Sequence, residues 1–336
     1  MLTYQLNAEI PNTLHTFYES AFSTLVRRHD AMKAQFLRKT LSGCTVAEFA
    51  SIFSAFCFMS YCQWETEFSE EQAIQYLRKS SKKNGLSKDP RSLLTDYVEA
   101  ICVLQEEGQE YSFVHRTFQE YFTALFLSKC PSSIGKKFIE QGMTRYFDKV
   151  IPMWFAMDRD RLESDWVRNA LNEVEFHIQN KKNETEIYFE IVKSNEFSFH
   201  NGLINTISST RTSLAFSIET LYQMYPDAFP NSFHPSIICV FSSTEAKREH
   251  RKIRKMFSDD ELTTLAFDEA ENKSKKPKRY EQFITIKRGY ADNYIMKKVE
   301  FSHYLSGVRE ALPEIRSSLN RSLSNAGNFF NEIFGD

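Results

Sequence analysis

The stretch that decides the fold is residues 111–122, which read Tyr-Ser-Phe-Val-His-Arg-Thr-Phe-Gln-Glu-Tyr-Phe. Its first residues alternate in polarity like a short β-strand. Thr117 and Glu120 then have the spacing of a capping box, which predicts the start of a helix. Apolar residues at helical spacing follow, namely Phe118, Tyr121, Phe122, Leu125 and Phe126. The stretch therefore predicts a strand that leads directly into a helix.

The residues before this stretch predict a β-hairpin and three helices. Residues 102–105 and 110–114 read as two short strands, and the turn between them contains Gly108. Three helix starts precede the hairpin, and they are marked by Thr45 with Glu48, by Ser69 and by Asp89-Pro90. Helices followed by a hairpin predict a winged-helix domain, roughly residues 43–114, or 43–130 with its following helix.

Helical patterns also flank this domain. Residues 1–42 contain a predicted helix that begins at Asn12 or Thr13 and stops at His29-Asp30. Residues 131–232 look helical throughout. We therefore expect residues 1–42 to be a separate helical element and residues 131–232 to be a helical region.

The last predicted domain comprises residues 233–336. Two short strands are predicted at 236–241 and 280–286, and a helix at 296–323 is expected to break near Pro313. The predicted fold class is therefore mainly α. It consists of a helical domain plus a winged helix with a short β-hairpin, followed by a helical region and a small α/β or α-rich C-terminal domain.

Composition narrows the function classes. Lys and Arg number 42 and Asp and Glu number 44, so the net charge of −2 excludes a globally basic nucleic-acid binder. The basic runs 247–255 and 273–279 are expected to be solvated faces, and nucleic acid is not an expected partner. No run of apolar residues is long enough to span a membrane, so no membrane partner is expected.

Residue types that form metal and catalytic sites occur in the chain, but not at the spacings typical of such sites. The six Cys form no C-x-x-C pair, which favours reduced, buried thiols in a cytoplasmic protein. The His residues do not have zinc-site spacing, and no G-x-S-x-G segment occurs. The sequence therefore predicts no metal site and no catalytic residue.

The motif in residues 111–122 resembles the winged-helix motif of NACHT-type STAND NTPases, the family that includes the NOD-like immune receptors and their bacterial relatives. The family pattern is an aromatic residue, a His, and then F-Q-E-aromatic-Phe at the start of a helix. Residues 1–18 also resemble the end of a NACHT nucleotide domain that enters its first helical domain. The resemblance covers about residues 1–130.

Two features of that family are absent from the sequence. The chain has no Walker A loop, G-x-x-x-x-G-K-[ST], and no strand that ends in paired acidic residues. We therefore expect the C-terminal part of a longer STAND protein, which does not hydrolyse ATP by itself. ADP or ATP would bind only together with a NACHT nucleotide-binding domain, supplied in cis or in trans. The apolar face of residues 1–42, with Leu14, Phe17, Phe22 and Leu25, is expected to pack on that domain.

His115 is the one candidate site residue. The resemblance implies that it donates a hydrogen bond to the β-phosphate of ADP and helps to hold a closed, inactive state. An imidazole N–H can pair with phosphate, and a helix N-terminus beside it favours an anion. The alternative is a packed histidine between hairpin and helix. Phe118, Tyr121 and Phe122 are expected to be core residues, and Glu120 a capping residue.

The expected function is that of a regulatory and sensing region of a NACHT-type STAND NTPase. Residues 131–336 would hold the closed state and respond to an unknown protein trigger in antiviral defence, with self-oligomerisation as a further expectation. The alternative is a stand-alone winged-helix nucleic-acid-binding protein that uses residues 247–255 and 273–279. An enzyme within residues 235–336 would be a third class, but no motif supports it.

Overall fold

The fold is mainly helical in the computed structural model. The structure describes residues 13–31, 40–140, 148–179, 187, 196–200, 203–206, 213–233, 239–240, 262–265, 283–287 and 301–334. The chain divides into two compact units, Met1–Asp165 and Trp166–Asp336. This division falls inside residues 131–232, which the sequence analysis treats as one region. The predicted domain limits stay predictions.

The described helices of the first unit follow one another with short connections. They are α1 (Leu14–Ala31), α2 (Val46–Cys62), α3 (Glu70–Lys83), α4 (Pro90–Thr95, followed by a π-helical turn, Asp96–Ala100), α5 (Arg116–Lys129), α6 (Ser132–Glu140), α7 (Val150–Met157) and α8 (Arg159–Leu162). Helix α1 includes His29 and Asp30. The predicted stop at these two residues is wrong, because neither breaks a helix as Gly or Pro does.

Three short strands of the first unit form an antiparallel sheet. They are β1 (Glu67–Ser69), β2 (Leu104–Glu107) and β3 (Glu110–Phe113), in the order β1-β3-β2. Strands β2 and β3 form the predicted hairpin, in which Glu107 pairs with Glu110. Gly108 adopts a φ of 70°, a conformation that is common for Gly in a two-residue hairpin turn. The analysis of the sequence missed β1, because three residues are too few to show a period.

The predicted caps before α2, α3 and α4 are confirmed. Thr45 and Ser69 each accept a hydrogen bond from the backbone N–H three residues later, and each forms a complete capping box. Asp89 caps α4 and precedes Pro90 at the first helical position. Each cap supplies partners for N–H groups that the helix itself leaves unpaired.

Aromatic rings on α2 organise the core of the first unit. Phe53 stacks on Tyr97 at 4.7 Å between ring centroids and meets Phe122 of α5 edge-on at 4.9 Å. The Tyr97 hydroxyl donates to the carbonyl of Phe49 at 2.8 Å, which satisfies its buried polar atom. Helix α5 therefore packs directly against α2.

A buried carboxylate fixes the chain that leads into α2. Asp96 is 2% exposed and accepts the N–H of Leu41 at 2.8 Å and the N–H of Ser42 at 2.9 Å. The Ser42 hydroxyl donates to the same carboxylate at 2.6 Å. A buried charge requires such partners, so these three bonds hold residues 41–42 against the π-helical turn.

The second unit combines helices with an antiparallel sheet of five strands. The helices are α9 (Arg168–Gln179), α10 (Ser213–Met224) and α11 (Phe301–Phe334), and the strands are β4 (Glu196–His200), β5 (Leu203–Thr206), β6 (Cys239–Val240), β7 (Leu262–Leu265) and β8 (Phe283–Lys287). The strand order is β6-β5-β4-β8-β7. Strand β6 lies within the strand predicted at 236–241, and β8 overlaps the strand predicted at 280–286 and extends one residue beyond it.

Two predictions for the second unit are wrong. Residues 131–232 are not helical throughout, because β4 and β5 form a hairpin in which His200 pairs with Leu203. Helix α11 continues through Pro313 without a break. The apolar stripe of α11 explains this continuity, because Leu305, Val308 and Leu319 are buried on both sides of the proline, whose position is solvent-exposed.

Each unit contains a glycine that packs directly under an aromatic ring. A Cβ at Gly135 in α6 would lie 2.9 Å from the Trp154 ring, and a Cβ at Gly307 in α11 would lie 2.6 Å from the Phe233 ring. Real Cβ atoms do not approach so closely, so both positions require glycine unless the ring moves.

Candidate functional site around His115

His115 lies where the sheet of the first unit ends and α5 begins. Val114 extends the pairing of β3, since its N–H donates to the carbonyl of Val103 at 3.1 Å. His115 then adopts an extended conformation, with φ −139° and ψ 124°, and α5 begins at Arg116. The predicted strand-to-helix junction is therefore present.

The imidazole of His115 is accessible. Its side chain is exposed, and its ring lies over Phe118 at 6.4 Å between centroids with an interplanar angle of 25°. Within the part of the chain that the structure describes, no side chain or backbone group forms a hydrogen bond with the imidazole. The ring can therefore donate to a ligand without first breaking an internal bond.

The predicted capping box at the start of α5 is wrong. The N-cap is His115 rather than Thr117, and the His115 side chain forms no capping hydrogen bond. Glu120 is buried, where its Oε2 accepts the N–H of Lys149 at 3.1 Å and its Oε1 pairs with Arg116 at 3.3 Å. Glu120 therefore joins α5 to the segment before α7 instead of capping its own helix.

The sequence analysis assigned no role to Gln119, which connects α5 to the end of α2. Its side chain is fully buried, and its Nε2 donates to Ser60 Oγ at 2.9 Å and to the Glu65 carbonyl at 2.8 Å. Both partners lie more than fifty positions earlier in the chain. A local sequence pattern does not contain that information, so only the fold reveals this role.

The rings of the motif are buried, as the sequence predicts. Phe118, Tyr121 and Phe122 are each no more than 6% exposed. Phe118 contacts Tyr18 of α1 at 5.6 Å between centroids, and Phe122 contacts Phe22 at 4.7 Å. Burial also raises the pKa of the Tyr121 hydroxyl, and Glu19 adds a smaller effect in the same direction. These rings hold the helix in place, while His115 at its start is exposed.

Helix α1 does not present the whole apolar face expected from the sequence. Phe22 is 3% exposed and packs inside the first unit against Phe122, whereas Leu14 is 44% exposed. The expectation that Phe22 faces an external domain is wrong. The reason is the aromatic face of α5, which provides Phe22 with a partner within the same unit.

The described cysteines differ in their exposure to solvent. Cys57 and Cys130 are buried, and burial raises the pKa of both thiols. Cys102 is exposed, so the prediction of buried thiols is wrong for that residue. Among the described residues, no three His, Cys, Asp or Glu side chains are grouped to hold a metal ion.

Some predicted features lie outside the described residues or outside the site. The basic runs 247–255 and 273–279 lie outside the described residues. No helix in the described ranges is long and apolar enough to cross a bilayer.

Comparisons with models of protein families, with curated proteins and with solved structures found no match. The family resemblance therefore stays a prediction.

Proposed function

We propose that residues 43–130 form a winged-helix domain of the NACHT-type STAND class. The order of elements supports this proposal, since it runs helix, strand, helix, helix and hairpin before α5. The sheet order β1-β3-β2 also supports it, because a strand between the first two helices of the domain completes the hairpin sheet. In this proposal the β2–β3 hairpin is the wing.

We further propose that this domain regulates a nucleotide-bound off state. The observation that carries the proposal is the exposed imidazole of His115 at the uncapped start of α5. Together with a NACHT nucleotide-binding domain, supplied in cis or in trans, His115 would donate a hydrogen bond to the β-phosphate of ADP. The backbone N–H groups of the first turn would add to the positive potential at this position.

The expected switch depends on a contact made in one state only. If His115 meets the phosphate in the closed form alone, its loss raises the free energy of that form alone. A hydrogen bond to a charged group contributes about 1.5–3 kcal/mol, so the closed-to-open ratio would fall about ten- to a hundredfold. Residues 131–336 would stabilise the closed state in the cytoplasm until a protein trigger in antiviral defence binds, after which the chains would self-associate.

The alternative proposal is a stand-alone winged-helix nucleic-acid binder. The charge of the hairpin opposes it, because Glu106, Glu107 and Glu110 are all exposed. Carboxylates at this position would repel a phosphate backbone, which supplies most of the affinity in nonspecific binding. We therefore place the nucleotide-dependent regulatory role first.

The test measures ADP that copurifies with the protein produced from its own locus. Expression from this locus retains any coding sequence that is in frame with residues 1–336, and a C-terminal tag allows purification. Wild type is compared with His115→Ala and with His177→Ala, a matched control on α9. We expect His115→Ala to lose ADP about ten- to a hundredfold, to retain its thermal stability and to self-associate without a trigger. His177→Ala should retain wild-type ADP.

Unchanged ADP in His115→Ala, together with a lower melting temperature, would show that the histidine is only packed. A second measurement addresses catalysis. The purified chain of residues 1–336 should not hydrolyse ATP, because its sequence lacks the groups that hold Mg²⁺ and the terminal phosphates. Turnover that a point substitution within residues 1–130 abolishes would contradict the proposal.

A further inference from the structure

We propose that Trp64 is a preorganised anchor for a basic protein segment, in which an arginine or lysine side chain stacks on the indole. Trp64 lies two residues beyond the end of α2, just after the C-cap Gln63, and is 60% exposed. An exposed indole is the side chain that binds cations best through its ring face. Trp residues are also enriched among those that dominate binding at protein interfaces. This proposal does not depend on nucleotide binding at His115.

The backbone conformation of Trp64 is unfavourable for a residue with a large side chain, so the ring is retained despite this strain. Its φ is 62°, in the left-handed region, where a helix end usually has glycine. The Glu65 N–H donates to the Ser60 carbonyl at 3.0 Å, and the Trp64 N–H donates to the Tyr61 carbonyl at 3.0 Å. This is the hydrogen-bond pattern of a glycine-type helix end. A bulky residue in such a conformation points to a use for its side chain.

The residue after Trp64 is held on three sides. Its carbonyl accepts a bond from the buried Gln119, and its N–H is bonded to Ser60. The Glu65 carboxylate accepts the Tyr76 hydroxyl at 2.7 Å, and burial together with this carboxylate raises the pKa of Tyr76 to about 12. The corner is therefore fixed before a partner arrives, which lowers the entropy lost on binding.

The charge of the sheet face that begins at Glu67, three residues after Trp64, identifies the kind of partner. Phe68 and Phe113 point into the core, so alternation along the strands places Glu67, Glu107 and Glu110 on the opposite face. Glu107 and Glu110 are directly opposite each other, which is unfavourable for two like charges. A cationic segment that begins on Trp64 and continues across this face would relieve that repulsion. We therefore commit to a basic segment rather than to an acidic or apolar one.

The experiment uses the full chain and a capped hexa-arginine peptide as the probe, with calorimetry at low ionic strength. Trp64→Ala and Trp64→Gly both remove the ring, and each should weaken binding about threefold to thirtyfold. Phe176→Ala is the matched control, because Phe176 is 63% exposed on α9. It should bind like wild type. A capped hexa-glutamate peptide should not bind.

The two Trp64 variants also test the strain. Glycine accepts the left-handed conformation and alanine does not, so Trp64→Gly should melt about 2–4 °C above Trp64→Ala. Equal melting temperatures would overturn the claim that the ring is retained against strain. Wild-type affinity in both variants would overturn the anchor itself. Self-association that depends on Trp64 would identify a second copy as the occupant and would overturn the basic segment.

Discussion

Helices α2 and α5 pack against each other, but they begin in different ways. At the start of α2, Thr45 Oγ1 accepts the N–H of Glu48 at 3.2 Å, and the Glu48 carboxylate accepts the N–H of Thr45 at 2.7 Å. At the start of α5, His115 occupies the N-cap position and its side chain forms no capping hydrogen bond. Local side chains therefore cap the start of α2, whereas the start of α5 has no such cap.

The difference shows where the stability of α5 comes from. A missing N-cap costs about 1 kcal/mol, which contacts outside the helix must offset. Gln119 and Glu120 bond to other segments, and Phe122 is buried among the rings of α1 and α2. Tertiary contacts therefore hold α5 in place, while His115 remains accessible. Each of the following predictions tests this division.

The largest effect is expected for the ring that holds α5 in the core. Phe122→Ala should lower the free energy of unfolding by about 3–5 kcal/mol, because it removes contacts to Phe22 and Phe53 and leaves a cavity. Urea denaturation measures the change. Phe176→Ala removes an exposed ring and should change the free energy by less than about 0.5 kcal/mol. Similar losses in both variants would mean that α5 is not held by its rings.

The next largest effect is expected for Gln119. Gln119→Leu should lower the free energy of unfolding by about 1–3 kcal/mol, because the buried Ser60 hydroxyl and the partly buried Glu65 carbonyl would lose their donor. Urea denaturation also measures this change, and Gln109→Leu in the exposed hairpin turn is the control. If Gln119→Leu were as stable as wild type, the bond between α5 and the end of α2 would contribute nothing measurable.

The sequence allows prediction of those parts of the fold that depend on near neighbours. Thr45, Ser69, Asp89 and Gly108 act within a few residues of their own positions, and all four predictions are confirmed. The partners of Gln119 are distant in the chain, so its role could not be predicted from the local sequence. The helices and the β2–β3 hairpin could be predicted, but β1 could not, because it depends on pairing with β3.

One missed element did have a local signal. Asn201-Gly202 follows residues 196–200, which alternate in polarity, and an Asn-Gly pair in such a place is a strong indicator of a two-residue hairpin. Strands β4 and β5 are paired on either side of it. The candidate site was predictable in a similar way. His115 follows from its motif. The missing cap beside it does not, because Glu120 has the spacing of a capping residue but instead accepts the N–H of Lys149.

A smaller effect is expected when the two helix starts are changed in parallel. Thr45→Ala should lower the free energy of unfolding by about 0.5–2 kcal/mol, because it removes a working cap. His115→Ala should change it by less than about 0.5 kcal/mol, since no bond is lost. His115→Asp should raise the melting temperature, because aspartate can cap the first turn of α5. Equal losses for Thr45→Ala and His115→Ala would remove the distinction between the helices.

The smallest effect is a dependence on pH at the α2 cap. The Thr45 N–H, followed by the Thr45 hydroxyl, lowers the pKa of Glu48 below its ordinary value of 4.5. A carboxyl with a lowered pKa in the folded state stabilises the fold above its ordinary pKa, and this contribution is lost as the pH falls through the lowered value. The stability difference between wild type and Glu48→Gln should therefore shrink from about pH 5 downward. A difference that stays constant to pH 2 would contradict the cap.

The contact between Gly135 and Trp154 implies a constraint on how this protein can diverge. Any side chain at position 135 would enter the volume of the indole, so the two positions cannot vary independently. A descendant that loses the glycine should first have acquired a smaller residue at position 154. The same order of events should apply to Gly307 and Phe233. Aligned descendants should therefore show correlated changes within each pair, and a large residue at both members of one pair should be absent.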